Sequence, residues 1–482
     1  MGNPIVIPLD EILAAIAALS DKVDALPSQT GQTVDLSPIM TALDAVQSAI
    51  ATLDDKVDAL PTVALFDLRT SAIQSAINDR PTASEIEAQF GALASAIAAL
   101  SAKVDAIDCS GGGTGPEEPT GPDYSQGDVP LVGVNVRGIG NNGWRWLIPG
   151  YTPSFPTDAR LIEDKYLAPL VANLPAGKPW FARVPVMSEQ LVQGQGQALR
   201  ESFITSLIIH LDRIHARGGK VLLECHNYFR RWAIVPAGTA DAMSVTVSTG
   251  TYLFKEDIIG TGVAANFSID GLVNMFYKLA QDTRISQHPA LWGIGIQNEP
   301  HDMDFSSQVL PWSQQLIDAL RNGGYQGNIS VCGTAWASAK QWVAQSDGLR
   351  TLTDSAGPGR LYFEAHQYAD NNGDGGGQWA NPNETIDPQR GVIDCKPFFD
   401  WLEQYNLKGI LGEFGYPVTA GNGNEYASNL IDEANSRGVI AVQWSLGPGM
   451  TEDDPNSMSV DATGALKANA TPVVERIGRT RV

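Results

Sequence analysis

The sequence predicts an α/β domain of the (β/α)8 class, the TIM barrel, preceded by an α-helical, coiled-coil-like segment. Two observations predict the barrel: beyond residue 128 short apolar strands alternate with helical patterns, and eight such strands can be counted. Alternating strands and helices are typical of a parallel sheet covered by helices, and eight repeats can close one. An apolar repeat confined to residues 1–108 predicts the helical segment. The predicted organisation is a stalk at 1–108, a linker at 109–128 and a barrel at 129–482.

Each predicted strand is a short apolar run bounded by glycine, proline or polar residues. The helical patterns between the strands end at glycine pairs such as Gly218-Gly219 and Gly323-Gly324, and glycine is typical of the residue that follows a helix. The predicted strands span residues 131–136, 180–184, 220–224, 291–296, 328–332, 361–365, 408–411 and 438–443.

The first 108 residues repeat apolar side chains at steps of three and four, as at positions 9, 12, 16, 19, 23 and 26. Such a seam needs partner helices, because an isolated helix of this length is marginal in water. Short, proline-broken coiled coils ahead of an enzyme domain resemble the trimeric stalks of bacteriophage tail fibres and tailspikes. The resemblance favours a homotrimer ahead of a dimer, and contact with phage tail proteins. An intramolecular three-helix bundle is the alternative, and the Gly- and Pro-rich composition of 109–128 is typical of a linker.

Composition and charge exclude several classes of partner. The chain has 54 acidic against 32 basic residues, a formal net charge of −22, and no basic run offsets it. Because this charge repels phosphate backbones and anionic lipid, neither nucleic acid nor a membrane is expected as a partner. Asp10 and Glu11 near the start, without a basic stretch, predict no signal peptide, and no apolar run is long enough for a membrane span. We expect a location on a virion tail or outside the cell.

Polar and aromatic side chains stand at the carboxyl ends of the predicted strands. Because these ends meet at one mouth of a barrel, where active sites are built, they are candidates for a functional site. Two are carboxylic acids: Glu299 in a Gln-Asn-Glu-Pro motif and Glu413 in a Gly-Glu-Phe-Gly motif. The strand-end residues are Asn135, Arg183, His226, Asn227, Asn298, Glu299, Trp336, His366, Tyr368, Glu413 and Trp444.

In order and strand assignment these motifs resemble those of the family 5 glycoside hydrolases, the large cellulase family, over about residues 130–450. The resemblance implies that Glu299 is the general acid/base and that Glu413 is the nucleophile. It also implies that six of these residues contact the substrate: Arg183, His226, Asn298, His366, Tyr368 and Trp444. Asn227 and Trp336 are added as candidates because of their predicted position at the mouth.

Glycoside chemistry independently requires such a pair of acids. Cleavage with retention uses one carboxylic acid to protonate the leaving oxygen and one carboxylate, about 5 Å away, to attack the anomeric carbon. Arg183 and Tyr368 can donate hydrogen bonds to a carboxylate on Glu413. The neutral Asn298 and an apolar strand adjoin Glu299, which favours its protonated form.

One segment matches the opening of a calcium-binding loop, with oxygen ligands at Asp370, Asn372 and Asp374. Its twelfth position is Asn381 where such loops have glutamate, so a Gly-rich loop over the cleft is favoured over a calcium site. The four cysteines lie far apart in the sequence, which is untypical of a metal or redox motif. No other cofactor and no metal are expected.

Substrate identity is the least constrained part of the prediction. Aromatic residues on the mouth loops favour stacking of successive sugar rings, hence an endo-acting enzyme on a β-1,4-glucan. The long segment 228–268, with a hairpin-like pattern at 244–252, is expected to shape the groove and to favour a decorated glucan or a mannan. The stalk and the lack of a predicted signal peptide together predict a phage tail depolymerase acting on host exopolysaccharide. The alternatives are a free bacterial endoglucanase or mannanase and, from another class, a noncatalytic carbohydrate-binding receptor protein.

Overall fold

A computed structural model describes residues 129–481, with gaps at 141, 150–160, 248, 358, 371–376, 378, 380, 449–453 and 460–464. The chain divides into two units, Met1–Pro119 and Thr120–Val482, and the described residues belong to the second. The predicted stalk at 1–108 and linker at 109–128 lie outside the described residues and stay predictions.

Eight parallel strands close into a barrel, which confirms the predicted fold class. In chain order the strands are β1 (Val129–Pro130), β2 (Val132–Val136), β3 (Trp180–Val186), β4 (Gly219–Cys225), β5 (Arg230–Val235), β6 (Met243–Val247), β7 (Gly250–Ile258), β8 (Leu291–Gly295), β9 (Asn328–Cys332), β10 (Leu361–His366), β11 (Lys408–Phe414), β12 (Ile440–Leu446) and β13 (Thr480–Arg481). The barrel order is β2-β3-β4-β8-β9-β10-β11-β12, with β12 pairing back onto β2. All eight predicted strands are present in it.

Two barrel strands end three residues later than predicted. β11 continues through Gly412 to Phe414, and β12 runs on to Leu446. The prediction ended β11 before Gly412, but Gly412 lies within the strand, where the side chain of Glu364 approaches it closely. A Cβ on Gly412 would lie only 2.2 Å from a carboxylate oxygen of Glu364 on β10. Glu413 and Trp444 therefore lie within barrel strands and not in the loops that follow them.

Helices cover the outside of the barrel. They are α1 (Asp164–Leu170), α2 (Ser188–Leu191), α3 (Glu201–His215), α4 (Ile269–Gln281), α5 (Thr283–Ser286), α6 (Leu310–Asn322), α7 (Thr334–Ala337), α8 (Trp342–Ser346), α9 (Arg390–Gln404), α10 (Gly423–Ser436) and α11 (Thr471–Val474). Helix α3 shows why they form: Leu207, Leu211 and Ile214 recur at helical spacing and are fully buried against the barrel. Gly218 follows it with φ of 76°, as the glycine pair predicts. None of the helices in the described part of the chain is both long and apolar enough to cross a bilayer.

An antiparallel sheet of three strands, in the order β5-β7-β6, is inserted between β4 and α4. Strands β6 and β7 form the hairpin predicted at 244–252, which is confirmed. Strand β5 was not predicted and extends this hairpin on the side nearer the barrel. The insert therefore begins a few residues after β4, the barrel strand that His226 directly follows.

Candidate active site

Arg183, on β3, is a fully buried guanidinium inside the barrel mouth. It donates hydrogen bonds to Oε1 of Glu413 at 2.9 Å and to Oδ1 of Asn135 at 2.9 Å. A third hydrogen bond of 2.5 Å reaches Oδ1 of Asn298. The sequence predicted these four residues at strand ends, and the structure brings them into one hydrogen-bonded group.

Glu413 is held by one donor on each carboxylate oxygen. Arg183 donates to Oε1, and the hydroxyl of Tyr368 donates to Oε2 at 2.9 Å. The side chain is almost fully buried. Both donors that the sequence analysis expected for Glu413 are therefore in place, and they fix the orientation of its carboxylate.

Glu299 follows β8 and lies against His366. Its Oε1 is 2.5 Å from Nδ1 of His366, and the same nitrogen is 3.9 Å from Oε1 of Glu413. Glu299 has φ of 34°, in the left-handed region that residues with a side chain rarely adopt. Backbone strain of this kind clusters at functional sites, where the surrounding structure holds it.

The two acids are close enough to act on one bond. Carboxylate oxygens of Glu299 and Glu413, together with a ring nitrogen of His366, all lie within 4.8 Å of one another. Retaining glycosidases place their two carboxyl groups about 5 Å apart, whereas inverting enzymes need a wider gap for a water molecule.

The comparison with protein families agrees with this geometry. The sequence profile of the cellulases, glycosyl hydrolase family 5, matches residues 181–449, which is more than half of the chain. The chain belongs to glycosyl hydrolase family 5.

Curated relatives match part of the chain. Endo-beta-1,4-glucanase B of Emericella nidulans is 31% identical over 159 residues, covering 31% of this chain and 44% of that protein. Endoglucanase 1 of Robillarda sp. is 27% identical over 184 residues, covering 37% and 46%. The chain thus spans less than half the length of each of these two relatives. Among solved structures, endoglucanase Cel5A of Pseudomonas stutzeri is 26% identical, with a TM-score of 0.58, covering 75% of this chain and 99% of that one.

Two further buried acids, Glu224 and Glu364, contact Arg183 and the two mouth histidines and were missed in the sequence analysis. Glu224 lies 3.5 Å from Nη1 of Arg183 and 3.0 Å from Nδ1 of His226. Glu364 lies 2.7 Å from Nε of Arg183 and 3.1 Å from Nε2 of His366. Each acid precedes its histidine by two positions, and residues two apart in a strand share a face. The repeated Glu-x-His pattern at the ends of β4 and β10 was the signal that could have found them.

Glu364 is ionised in the folded protein. Burial alone would raise its pKa, but Arg183, followed by His366 and Ser330, lowers it to about 2. The Ser330 hydroxyl donates to its Oε2 at 2.5 Å. Glu364 is therefore a fixed negative charge behind the two mouth acids.

His366 is shifted in the opposite direction by the same neighbours. Burial alone would lower its pKa, but Glu413, then Cys332 and Glu299, raise it well above its usual value. Its Nε2 faces Glu364 and its Nδ1 faces Glu299. The ring thus links Glu364, which is ionised at neutral pH, to the predicted acid/base.

Aromatic rings line one side of the mouth. His226 stacks with Trp444 at 5.8 Å between centroids and contacts Tyr228 edge-on at 5.4 Å. Further along, Trp336 lies flat on His301 at 3.5 Å and is 51% exposed. Of these rings, His301 was not singled out in the sequence analysis, and its position behind Trp336 gives no sequence signal. The exposed face of Trp336 and the half-buried Trp444 are the surfaces available to a sugar ring.

Asn227 is the one predicted substrate-binding residue that points away from the mouth. It is buried; its amide donates to Glu189 at 2.9 Å, and its oxygen accepts from the backbone N–H of Ser188 at 2.6 Å. Adjacent residues at a strand end face opposite ways, so Asn227 and His226 cannot both face the cleft. We assign Asn227 to holding the loop after β3.

Among the residues that the structure describes, two groups of side chains carry the donor atoms of a metal site: Cys332, Glu364 and His366, and Glu299, His366 and Glu413. In each, a carboxylate is already ion-paired with Arg183, and this guanidinium opposes a second cation. Of the predicted calcium ligands, Asp370 is buried and accepts from the backbone N–H of Gly377. Asn372 and Asp374 lie outside the described residues, so the calcium loop stays a prediction.

Gly412→Ala tests the packing beneath the acids. The added Cβ would meet the Glu364 carboxylate at 2.2 Å, and that carboxylate is held by Arg183. We expect a loss of about 1–3 kcal/mol in the free energy of unfolding, together with reduced activity. Urea unfolding and initial rates check this, with Gly194→Ala as the control because its Cβ would make only an ordinary contact at 3.8 Å. Unchanged stability and activity in Gly412→Ala would contradict the close approach.

Proposed function

We propose that the chain is a retaining, endo-acting glycoside hydrolase that cleaves a β-1,4-linked, glucan-type polysaccharide. The observation that carries the proposal is the separation of at most 4.8 Å between carboxylate oxygens of Glu299 and Glu413. Relatives named endo-beta-1,4-glucanase and endoglucanase support the linkage. The exposed Trp336 and the half-buried Trp444 at an open mouth support cleavage within a chain.

In the first step Glu413 attacks the anomeric carbon and forms a glycosyl-enzyme, while Glu299 protonates the leaving oxygen. Arg183 and Tyr368 hold the Glu413 carboxylate, so little reorganisation is needed as its charge is consumed. In the second step Glu299 takes a proton from water, which attacks the glycosyl-enzyme. His366, 2.5 Å from Glu299, is placed to stabilise the negative charge that Glu299 carries between the two steps.

A panel of polysaccharides tests the activity. The full chain is expected to release reducing sugar from carboxymethylcellulose, glucomannan or a bacterial exopolysaccharide, with products that first appear in the β-anomeric form by NMR. Release of the α-anomer would contradict retention. Binding without release from any of the three would favour the noncatalytic receptor alternative.

Glu299→Gln tests the role of the acid/base. Without a proton donor, hydrolysis of polysaccharide should fall by about 10²–10⁴-fold. An aryl glycoside whose phenol needs no protonation should still form the glycosyl-enzyme, and azide, which needs no base, should then accelerate turnover and yield a glycosyl azide. Equal loss on both substrates, with no effect of azide, would remove Glu299 from this role.

We further propose that the enzyme is a phage tail depolymerase acting on host exopolysaccharide. The support is the heptad pattern at 1–108 and the linker composition at 109–128. Sedimentation of the full chain is expected to give three times the mass of one chain. A monomer would favour an intramolecular bundle and the free bacterial endoglucanase or mannanase alternative.

A further inference from the structure

The inserted sheet β5-β7-β6 turns one of its faces to the cleft. The other face, here called the outer face, carries Arg231. The Arg231 guanidinium donates to Oγ of Ser188 and to the carbonyl of Val192, and it lies 3.9 Å over the ring of Phe267. Residues directly opposite each other in an antiparallel pair share a face, and neighbours along a strand alternate. Arg230, Trp232 and Ile234 therefore lie on the face opposite to that of Arg231.

Contacts at two places show that this second face looks into the mouth. Arg230 donates to the carbonyl of His301, in the loop after β8, at 3.4 Å. Phe254, on the same face of β7, packs 4.8 Å from the ring of Trp144, in the loop after β2. Strands β2 and β8 lie on either side of the β3-β4 pair that supports the insert. A face that touches both loops is directed toward the barrel axis.

The middle of this inner face carries an aromatic ring and an acid. Trp232 is paired directly with Glu256 in the β5-β7 register, and both are half-buried. No described residue hydrogen-bonds the Glu256 carboxylate. Burial raises its pKa, and Arg230 is the cation that opposes this rise. Beyond them, Ile234 and Met243 remain 38% and 36% exposed.

We propose that Trp232, Glu256 and Arg230 form an additional sugar subsite on the inserted sheet, continuous with the catalytic cleft. Its ligand is a hydroxyl-bearing pyranose ring of the polysaccharide, stacked on Trp232, with its hydroxyl groups bonded to Glu256 and Arg230. Planar aromatic rings bind the apolar face of a sugar, and a carboxylate and a guanidinium bind its hydroxyls. The ring belongs either to the main chain or to a branch. This inference deepens the proposed function and rests on it.

Binding to the full chain carrying Glu299→Gln tests the subsite without hydrolysis. Calorimetry would compare linear β-1,4-gluco-oligosaccharides of increasing length with a xylose-branched gluco-oligosaccharide. Adding Trp232→Ala should weaken the longest or the branched ligand by about tenfold or more, as expected for a buried tryptophan contact. Glu256→Gln should weaken the same ligand, Trp232→Tyr should retain most of its affinity, and short linear ligands should bind as before. Lys255→Met, next to Glu256 but on the outer face, is the matched control.

Loss confined to long linear ligands assigns the subsite to the main chain, and loss confined to the branched ligand assigns it to a branch. Unchanged affinity for every ligand in Trp232→Ala and Glu256→Gln, with hydrolysis by the unaltered chain intact, would overturn the subsite alone. If Glu299→Gln binds none of the ligands and the unaltered chain cleaves none of the polysaccharides, the proposed function and the subsite fail together.

Discussion

Glu413→Gln is expected to abolish hydrolysis, with kcat falling roughly 10⁴-fold or more, the size of loss seen when a covalent nucleophile is removed. An amide has no negative charge to attack the anomeric carbon, so no glycosyl-enzyme forms. The fold should survive the change. The amide oxygen can still accept from Arg183, and the hydroxyl of Tyr368, which now donates to Oε2, can rotate to accept from the new N–H.

Initial rates on the most rapidly cleaved polysaccharide, together with thermal unfolding, would measure this. Glu425→Gln, an exposed glutamate in the first turn of α10, is the control and should keep the full rate. Glu413→Asp adds a second comparison, because it keeps the charge but withdraws the carboxylate by one methylene, and it should also lose most of the rate. An undiminished rate in Glu413→Gln would show that another group is the nucleophile.

The barrel could be predicted because its signals are local. Each strand is a short apolar run with a glycine or polar boundary, and eight such runs in succession admit few other folds. The positions of Glu299 and Glu413 followed from the same reasoning, since the carboxyl ends of barrel strands share one mouth. The rule that a glycine marks the end of a strand failed at Gly412. This glycine lies inside β11 because the side chain of Glu364, on β10, packs against it, and that contact joins residues far apart in the sequence.

The side chains behind the mouth were harder to predict. Strand interiors were treated as apolar, so Glu224 and Glu364 escaped notice although both are almost fully buried. Asn227 was included for standing next to His226, although the two-residue period of a strand sends neighbours to opposite faces. Strand β5 of the insert was not predicted. Its residue Arg231 bonds to the loop after β3, and no local sequence pattern reveals such a contact.

Arg183→Met is expected to destabilise the protein, and to do so more strongly at neutral than at acidic pH. The guanidinium stands against three buried acids, Glu224, Glu364 and Glu413, at 3.5, 2.7 and 2.9 Å. Methionine keeps much of the volume but leaves these charges without their cation, which costs about 3–5 kcal/mol for a buried pair broken on one side. Activity should also be lost, because Glu413 loses one of its two donors.

The pH dependence separates this electrostatic cause from packing. In the folded protein the pKa of Glu364 is lowered from its usual value of 4.5 to about 2, with Arg183 as the largest lowering influence. The stability that this shift contributes is complete above about pH 4.5 and is lost as the pH falls toward about 2. In Arg183→Met the carboxyl group can take up a proton at higher pH, so the difference in unfolding free energy between the two proteins should shrink over that range. Urea unfolding at neutral and acidic pH would measure this difference.

Arg217→Met, which breaks an exposed pair with Asp164, is the control and should lower the unfolding free energy only slightly at either pH. A difference for Arg183→Met that stays constant with pH would assign the loss to packing, and would leave the ionisation of Glu364 independent of Arg183.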